Sequence, residues 1–61
     1  MTKRQKKAKL NAEIKEAYSV RESFLATLRE ETDKDYREGL ILNVENCDKR
    51  IQELEIKRDA L

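Results

Sequence analysis

Apolar residues recur at alternating steps of three and four residues in two stretches of the chain. This alternation has a period near 3.5 and is typical of the contact face of a coiled-coil helix. We therefore predict two amphipathic helices, at residues 5–31 and 33–60, with Arg21 and Arg58 as polar interruptions. The positions are Leu10, Ile14, Ala17, Arg21, Phe24 and Leu28 in the first stretch, and Leu40, Val44, Cys47, Ile51, Leu54, Arg58 and Leu61 in the second.

The two stretches are out of phase, so one straight helix cannot carry both. Continued beyond Leu28 by a step of seven, the first stretch reaches Asp35, whereas the second stretch has Arg37 at the equivalent place. Thr32 can serve as the N-cap of a new helix, and Asp33 and Asp35 would then lie in its first turn, where the helix dipole favours acidic side chains. The sequence therefore predicts a turn at this point.

The predicted fold class is all-α: a single-domain antiparallel two-helix hairpin with coiled-coil-like packing and a turn at residues 32–35. In such a hairpin the residue numbers of any two facing residues add up to the same value. Here six pairs each add up to 68. The mirror point, residue 34, lies within the predicted turn. The six pairs are Leu28 with Leu40, Phe24 with Val44, Arg21 with Cys47, Ala17 with Ile51, Ile14 with Leu54, and Leu10 with Arg58.

A second hairpin uses Gly39 as the C-terminal stop of the first helix and Asn43 as the N-cap of the second. Its facing residues would have numbers with a total near 82, which sets Glu31 against Ile51. Because that pairing places charge against hydrocarbon, we favour the turn at residues 32–35.

Two helices leave apolar residues beside their contact face uncovered, among them Val20, Leu25 and Ile41. We therefore expect a homodimer that forms a four-helix bundle, with the two turn ends together. Burial in a groove of another protein would serve the same need. The expected contact residues are Phe24, Leu25, Leu28, Leu40, Ile41 and Val44.

Arg21 is a candidate register residue because it interrupts the apolar face opposite Cys47. Its long stem can pack in the core while the charge reaches water. Alternatively, it forms a buried polar contact with Asp48 or Glu45 of the other chain and fixes the register of the dimer. Cys47 is expected to act as a small core residue.

The composition argues against an enzyme. Among 61 residues, 44% are charged, one is Gly, one is Cys and none is His. A serine triad, a zinc site and a phosphate-binding Gly-rich loop each need residues that are missing here. We therefore expect no catalytic residues, cofactor, metal or small-molecule substrate. The longest apolar run, residues 40–42, is far from the roughly 20 residues of a membrane span, and a lone thiol suits the cytoplasm.

Basic residues are concentrated at the start of the chain. Residues 1–9, which we call the basic head, hold five cations and no acidic residue, although the net charge of the chain is only +1. We expect the head to be frayed or to begin the first helix, and it is a candidate for contact with nucleic-acid phosphates. Its cations are Lys3, Arg4, Lys6, Lys7 and Lys9.

The beginning of the chain also resembles the Rop family of plasmid-encoded RNA-binding proteins. The similarity rests on Met1-Thr2-Lys3, Ala8 and Leu10-Asn11, followed by a helix, a turn and a second helix. The resemblance implies helical hairpins that dimerise into a four-helix bundle, and RNA contacts at Lys3 and Asn11. Lys15 stands where that family has an important aromatic residue.

The function expected from these patterns is protein–protein binding by a small non-enzymatic adaptor, regulator or inhibitor. Proteins of this size are often encoded by phages or mobile elements. The alternative is a nucleic-acid-binding regulator that uses the basic head, with a Rop-like architecture.

Overall fold

The computed structural model describes all residues, 1–61, and contains two helices and no strand. Helix α1 is Lys3–Glu30 and helix α2 is Lys34–Asp59. They pack side by side as a hairpin measuring 47 × 14 × 12 Å, which confirms the predicted all-α hairpin. Gly39 lies inside α2, so the alternative hairpin that turns at Gly39 is wrong.

Helix α1 begins with a capping box, two turns before the first apolar contact residue. The backbone N–H of Gln5 donates to the Thr2 hydroxyl at 3.2 Å, and the backbone N–H of Thr2 donates to the Gln5 side chain at 3.0 Å. These bonds satisfy two donors at the helix start. The basic head is therefore helical from Lys3 onward, and the first turn of α1 contains no acidic residue.

The turn consists of three residues, and Asp33 rather than the predicted Thr32 is the N-cap of α2. The backbone N–H of Tyr36 donates to the Asp33 carboxylate at 2.9 Å. Glu31, the C-cap of α1, accepts bonds from the backbone N–H groups of Thr32 and Asp33 through its own carboxylate. Thr32 and Asp33 are both good N-cap types, and the Glu31 bonds accompany a helix start one residue later than expected.

Arg37 closes the turn from the α2 side. Its Nη1 donates to the backbone carbonyls of Leu28, at 2.6 Å, and of Glu31, at 2.8 Å. The last carbonyls of a helix have no partner within the helix, so these bonds cap the C-terminus of α1. The spacing of Asp33 and Arg37 predicts a helical ion pair, but Asp33 serves the N-cap and Arg37 serves the carbonyls instead.

The core is a single narrow layer between the helices. The five buried residues are all apolar and all occupy predicted facing positions: Ile14, Ala17, Leu40, Ile51 and Leu54. Two hydrogen bonds between side chains cross from one helix to the other, from Arg21 to Asp48 at 2.7 Å and from Arg58 to Asn11 at 3.2 Å. The residue numbers in each pair total 69, one away from 68, so the bonds agree with the predicted register.

Candidate protein-binding surface

The hairpin has two long flanks, one on each side of the line where the helices meet. Helical periodicity from the facing residues assigns the remaining positions to these flanks. The first flank carries Asn11, Tyr18 and Leu25 on α1, and Ile41, Asp48 and Glu55 on α2. The second flank carries Lys6, Glu13, Val20 and Thr27 on α1, and Tyr36, Asn43, Arg50 and Lys57 on α2.

Apolar residues cluster on the first flank, in the half nearer the turn. Ile41 is 43% exposed and Tyr18 is 46% exposed, while Leu25 is half-buried. In the hairpin register Ile41 lies beside residue 27, so the three side chains occupy about 13 Å of the rod at 1.5 Å per residue. They form a compact apolar strip that no other part of the chain covers.

The second flank is grooved and more polar. A groove of about 470 Å³ lies at its open end, with the methylenes of Lys6, Lys9 and Lys57 beside Leu10 and Leu61. A smaller groove of about 260 Å³ lies midway, where Glu13, Glu16 and Arg50 surround Val20. On this flank the apolar side chains come together at the open end, where Met1, Leu10, Ala60 and Leu61 line the larger groove among lysines. Because lysines are depleted from the cores of protein interfaces, the lysine-free strip on the first flank is the stronger candidate for a protein interface.

The structure divides the six expected contact residues between the core and the surface. Leu40 is only 5% exposed, and Phe24, Leu28 and Val44 are half-buried between the helices. Leu25 and Ile41 lie on the first flank and are brought together there. The remaining member of the strip, Tyr18, is absent from the expected set, although its position seven residues before Leu25 is the signal that identifies it.

Arg21 makes its ion pairs within the hairpin. Its Nε lies 2.7 Å from a carboxylate oxygen of Asp48 in the same chain, and its Nη1 lies 3.4 Å from Glu22. The side chain is 29% exposed, so its stem covers part of the core while the guanidinium reaches the surface. The contact with Asp48 therefore links the two helices of one hairpin, and a register role between chains stays a prediction.

The five cations of the basic head are all exposed. None of them belongs to an ion pair, since the three pairs in the structure are Arg21 with Glu22, Arg21 with Asp48, and Arg58 with Asp59. Three of them, Lys3, Arg4 and Lys6, also lie in the first turn of α1, at the positive end of the helix dipole, which disfavours them. The head is therefore an electrostatic site that lacks a partner within the hairpin.

The fold and the first flank define a small helical-hairpin protein with an uncovered apolar strip. Its one thiol, Cys47, is half-buried and free, and no group of three or more metal-ligating side chains comes together. Neither helix has a stretch long and apolar enough to cross a membrane. Comparison with protein-family models, with curated proteins and with solved structures gave no match.

Proposed function

We propose that this chain is a non-enzymatic protein-binding module that acts by burying its first flank against a protein surface. The role is that of a small adaptor, regulator or inhibitor, in which helix-face burial is the whole mechanism. The strip formed by Tyr18, Leu25 and Ile41 supplies the apolar centre of the contact. Charged residues around it supply the rim, as in most protein interfaces.

The observation that carries this proposal is the excess of exposed surface. The hairpin exposes 4968 Å², whereas a compact protein of 7.2 kDa is expected to expose about 4,100 Å². The difference, about 850 Å², is close to the roughly 800 Å² that each partner buries in a standard interface. Only five of 61 residues are buried, so an additional surface would add greatly to the stability of the chain.

Two neighbouring residues provide a matched test. Ile41 lies on the first flank, whereas Leu42, which is 57% exposed, lies on the outer face of α2. Ile41→Glu and Leu42→Glu introduce the same charge at adjacent helical positions, so they differ chiefly in the face that they alter. We expect Ile41→Glu to weaken every protein association of the chain at least about tenfold, because it loses an apolar contact and buries a charge.

The measurements are sedimentation equilibrium for self-association and binding of purified partners recovered with the wild-type chain. Leu42→Glu should bind as the wild type does, and circular dichroism should show both variants to be equally helical. The proposal would be contradicted if both variants bound as well as the wild type, or if both lost binding to the same extent.

A second candidate function is favoured by the exposed, unpaired cations of the basic head. At the basic head the chain would bind a polyanion such as RNA through contacts with phosphates, and the affinity would fall steeply as the salt concentration rises. Replacing Lys3, Lys6 and Lys7 by Gln keeps good helix formers in place while removing three charges. Under this function the triple variant binds a generic RNA more weakly, with a smaller dependence of log Kd on log salt. An unchanged slope would contradict it.

Removing residues 1–9 distinguishes the two functions more coarsely. Protein binding through the first flank should survive the truncation, whereas salt-sensitive RNA binding should be lost. Helicity of the truncated chain must be verified first, because the truncation removes the capping box of α1.

A further inference from the structure

We propose that the groove at the open end of the second flank binds a single-chain amphiphilic anion, such as a medium-chain carboxylate. Its volume of about 470 Å³ lies within the roughly 300–1,000 Å³ of small-molecule sites. The groove and the apolar strip of the first flank lie on different sides of the hairpin, so a protein bound to the strip leaves the groove open. The ligand site therefore adds to the proposed function and does not rest on it.

The floor of the groove is apolar and is built at the open end by both halves of the hairpin. Leu10 of α1 is half-buried there, and Leu61, which follows α2, is 39% exposed. Met1 and Ala60 complete the floor. Along α1 the lining spans residues 6–13, which is about 10 Å at 1.5 Å per residue. One alkyl chain covers a floor this narrow, and removal of apolar surface from water drives its binding.

Three lysines surround this floor. Lys6, Lys9 and Lys57 line the groove together with a single carboxylate, Glu13, so the lining side chains carry a net charge of +2. All three lysines are exposed, and none takes part in an ion pair. Lysine stems lie along apolar surface while the ammonium groups stay in water, so the charges stand at the edge of the floor. An anion at that edge meets positive charge that no other group of the chain neutralises.

An anion with one hydrocarbon chain uses both parts of the groove. RNA would contact the lysines through its phosphates but would leave the apolar floor in water. A protein surface would cover the floor, but it would also have to bury lysines, which are depleted at the centre of interfaces. Glu13 lies at the inner end of the groove, nearer the middle of the rod, and repels a carboxylate, so the head group lies toward Lys6 and Lys9.

Methyl NMR spectra of the full-length chain test the location of the site. The probe is decanoate, titrated below its micelle-forming concentration. The methyl resonances of Met1, Leu10 and Leu61 should shift and reach saturation, while those of Leu25 and Ile41 on the first flank should stay in place. Shifts of equal size on the first flank would overturn the proposal, because they would show adsorption to any exposed apolar surface.

Two further probes separate the contributions of chain and charge. Acetate has the charge without the chain and should bind at least about tenfold more weakly than decanoate, since it buries almost no hydrocarbon. Decyltrimethylammonium has the same chain with the opposite charge and should bind about 3- to 10-fold more weakly, because it is repelled by the lysines. Equal affinity of decanoate and either probe would contradict the proposed ligand class.

A matched pair of charge variants tests the lysines. Lys6→Gln with Lys9→Gln removes two charges from the groove, whereas Arg4→Gln with Lys15→Gln removes two exposed charges that do not line it. Both variants have the same net charge. Decanoate affinity should fall about 3- to 10-fold in the first and less than about twofold in the second. Equal losses would mean that the anion responds only to the overall charge of the chain, and would overturn the site.

A second pair of variants tests the floor. Ala60→Phe fills the groove from the end of α2, whereas Ala12→Phe adds the same ring to the exposed outer face of α1. Circular dichroism should show both variants to be helical, and only Ala60→Phe should lose decanoate binding. Wild-type affinity in Ala60→Phe would contradict the proposal. Binding to phosphatidylglycerol vesicles without any response to decanoate would also overturn it, because the site would then recognise a lipid surface rather than a free amphiphile.

Discussion

At the scale of single residues, the hairpin depends on a few side chains that finish the helices. Asp33 and Thr2 start them, and Arg37 satisfies the last carbonyls of α1 across the turn. Gly39 is the opposite case, since it lies inside a helix without a conformation that requires glycine. These residues give two predictions that concern stability alone.

Gly39→Ala should stabilise the protein by about 0.5–1 kcal/mol, because Gly loses more backbone entropy in a helix than Ala. A Cβ at this position meets nothing within 4 Å, so the gain is not offset by a clash. Thermal unfolding followed by circular dichroism should show a higher Tm. The reverse change at exposed Ala26, Ala26→Gly, should lower it by a similar amount. A lower Tm for Gly39→Ala would contradict this expectation, because it would mean that the added Cβ meets a neighbour that is absent from the hairpin.

Arg37→Ala should destabilise the protein by about 1.5–3 kcal/mol, the range for hydrogen bonds made by charged groups. It removes the donor to two carbonyls at the end of α1. Arg50→Ala is the control, because Arg50 is an exposed arginine of the same helix that makes no hydrogen bond. Urea unfolding should show a change within about 0.5 kcal/mol for Arg50→Ala. Equal effects of the two variants would refute the capping role.

Arg37 also shows the limit of sequence-based prediction at this scale. Its spacing from Asp33 predicts a local ion pair, because helical spacing is all that the sequence displays. The carbonyls that it reaches belong to the other helix and become neighbours only after the chain has turned. Two further acid–base pairs at the same spacing, Glu45 with Lys49 and Glu53 with Lys57, also form no ion pair in the structure.

At the scale of elements, the alternating steps of three and four residues predicted both helices, their antiparallel pairing and its register. Burial of Ile14 and Leu54, a predicted facing pair, follows directly from that pattern. Helix ends were less predictable, because Thr32 and Asp33 are both suitable N-caps. The pattern also failed to separate core from surface among the expected contact residues, since Leu40 is buried inside the hairpin.

At the scale of the whole molecule, the hairpin is a thin rod with too little core. Its radius of gyration is 14.4 Å, against about 10.5 Å for a compact chain of this length. A single layer of five buried residues is a small source of stability for 61 residues. If another protein surface covered the first flank, the single layer of side chains between α1 and α2 would become part of a larger core.

The central proposal is that the first flank is buried against a protein surface, which the homodimer expected from the sequence pattern would supply, and the mass of the folded particle tests it most directly. Sedimentation equilibrium at micromolar concentration, with circular dichroism on the same sample, should report twice the chain mass of 7.2 kDa and high helicity. A helical particle of 7.2 kDa that unfolds cooperatively, at a temperature independent of concentration, would contradict the account.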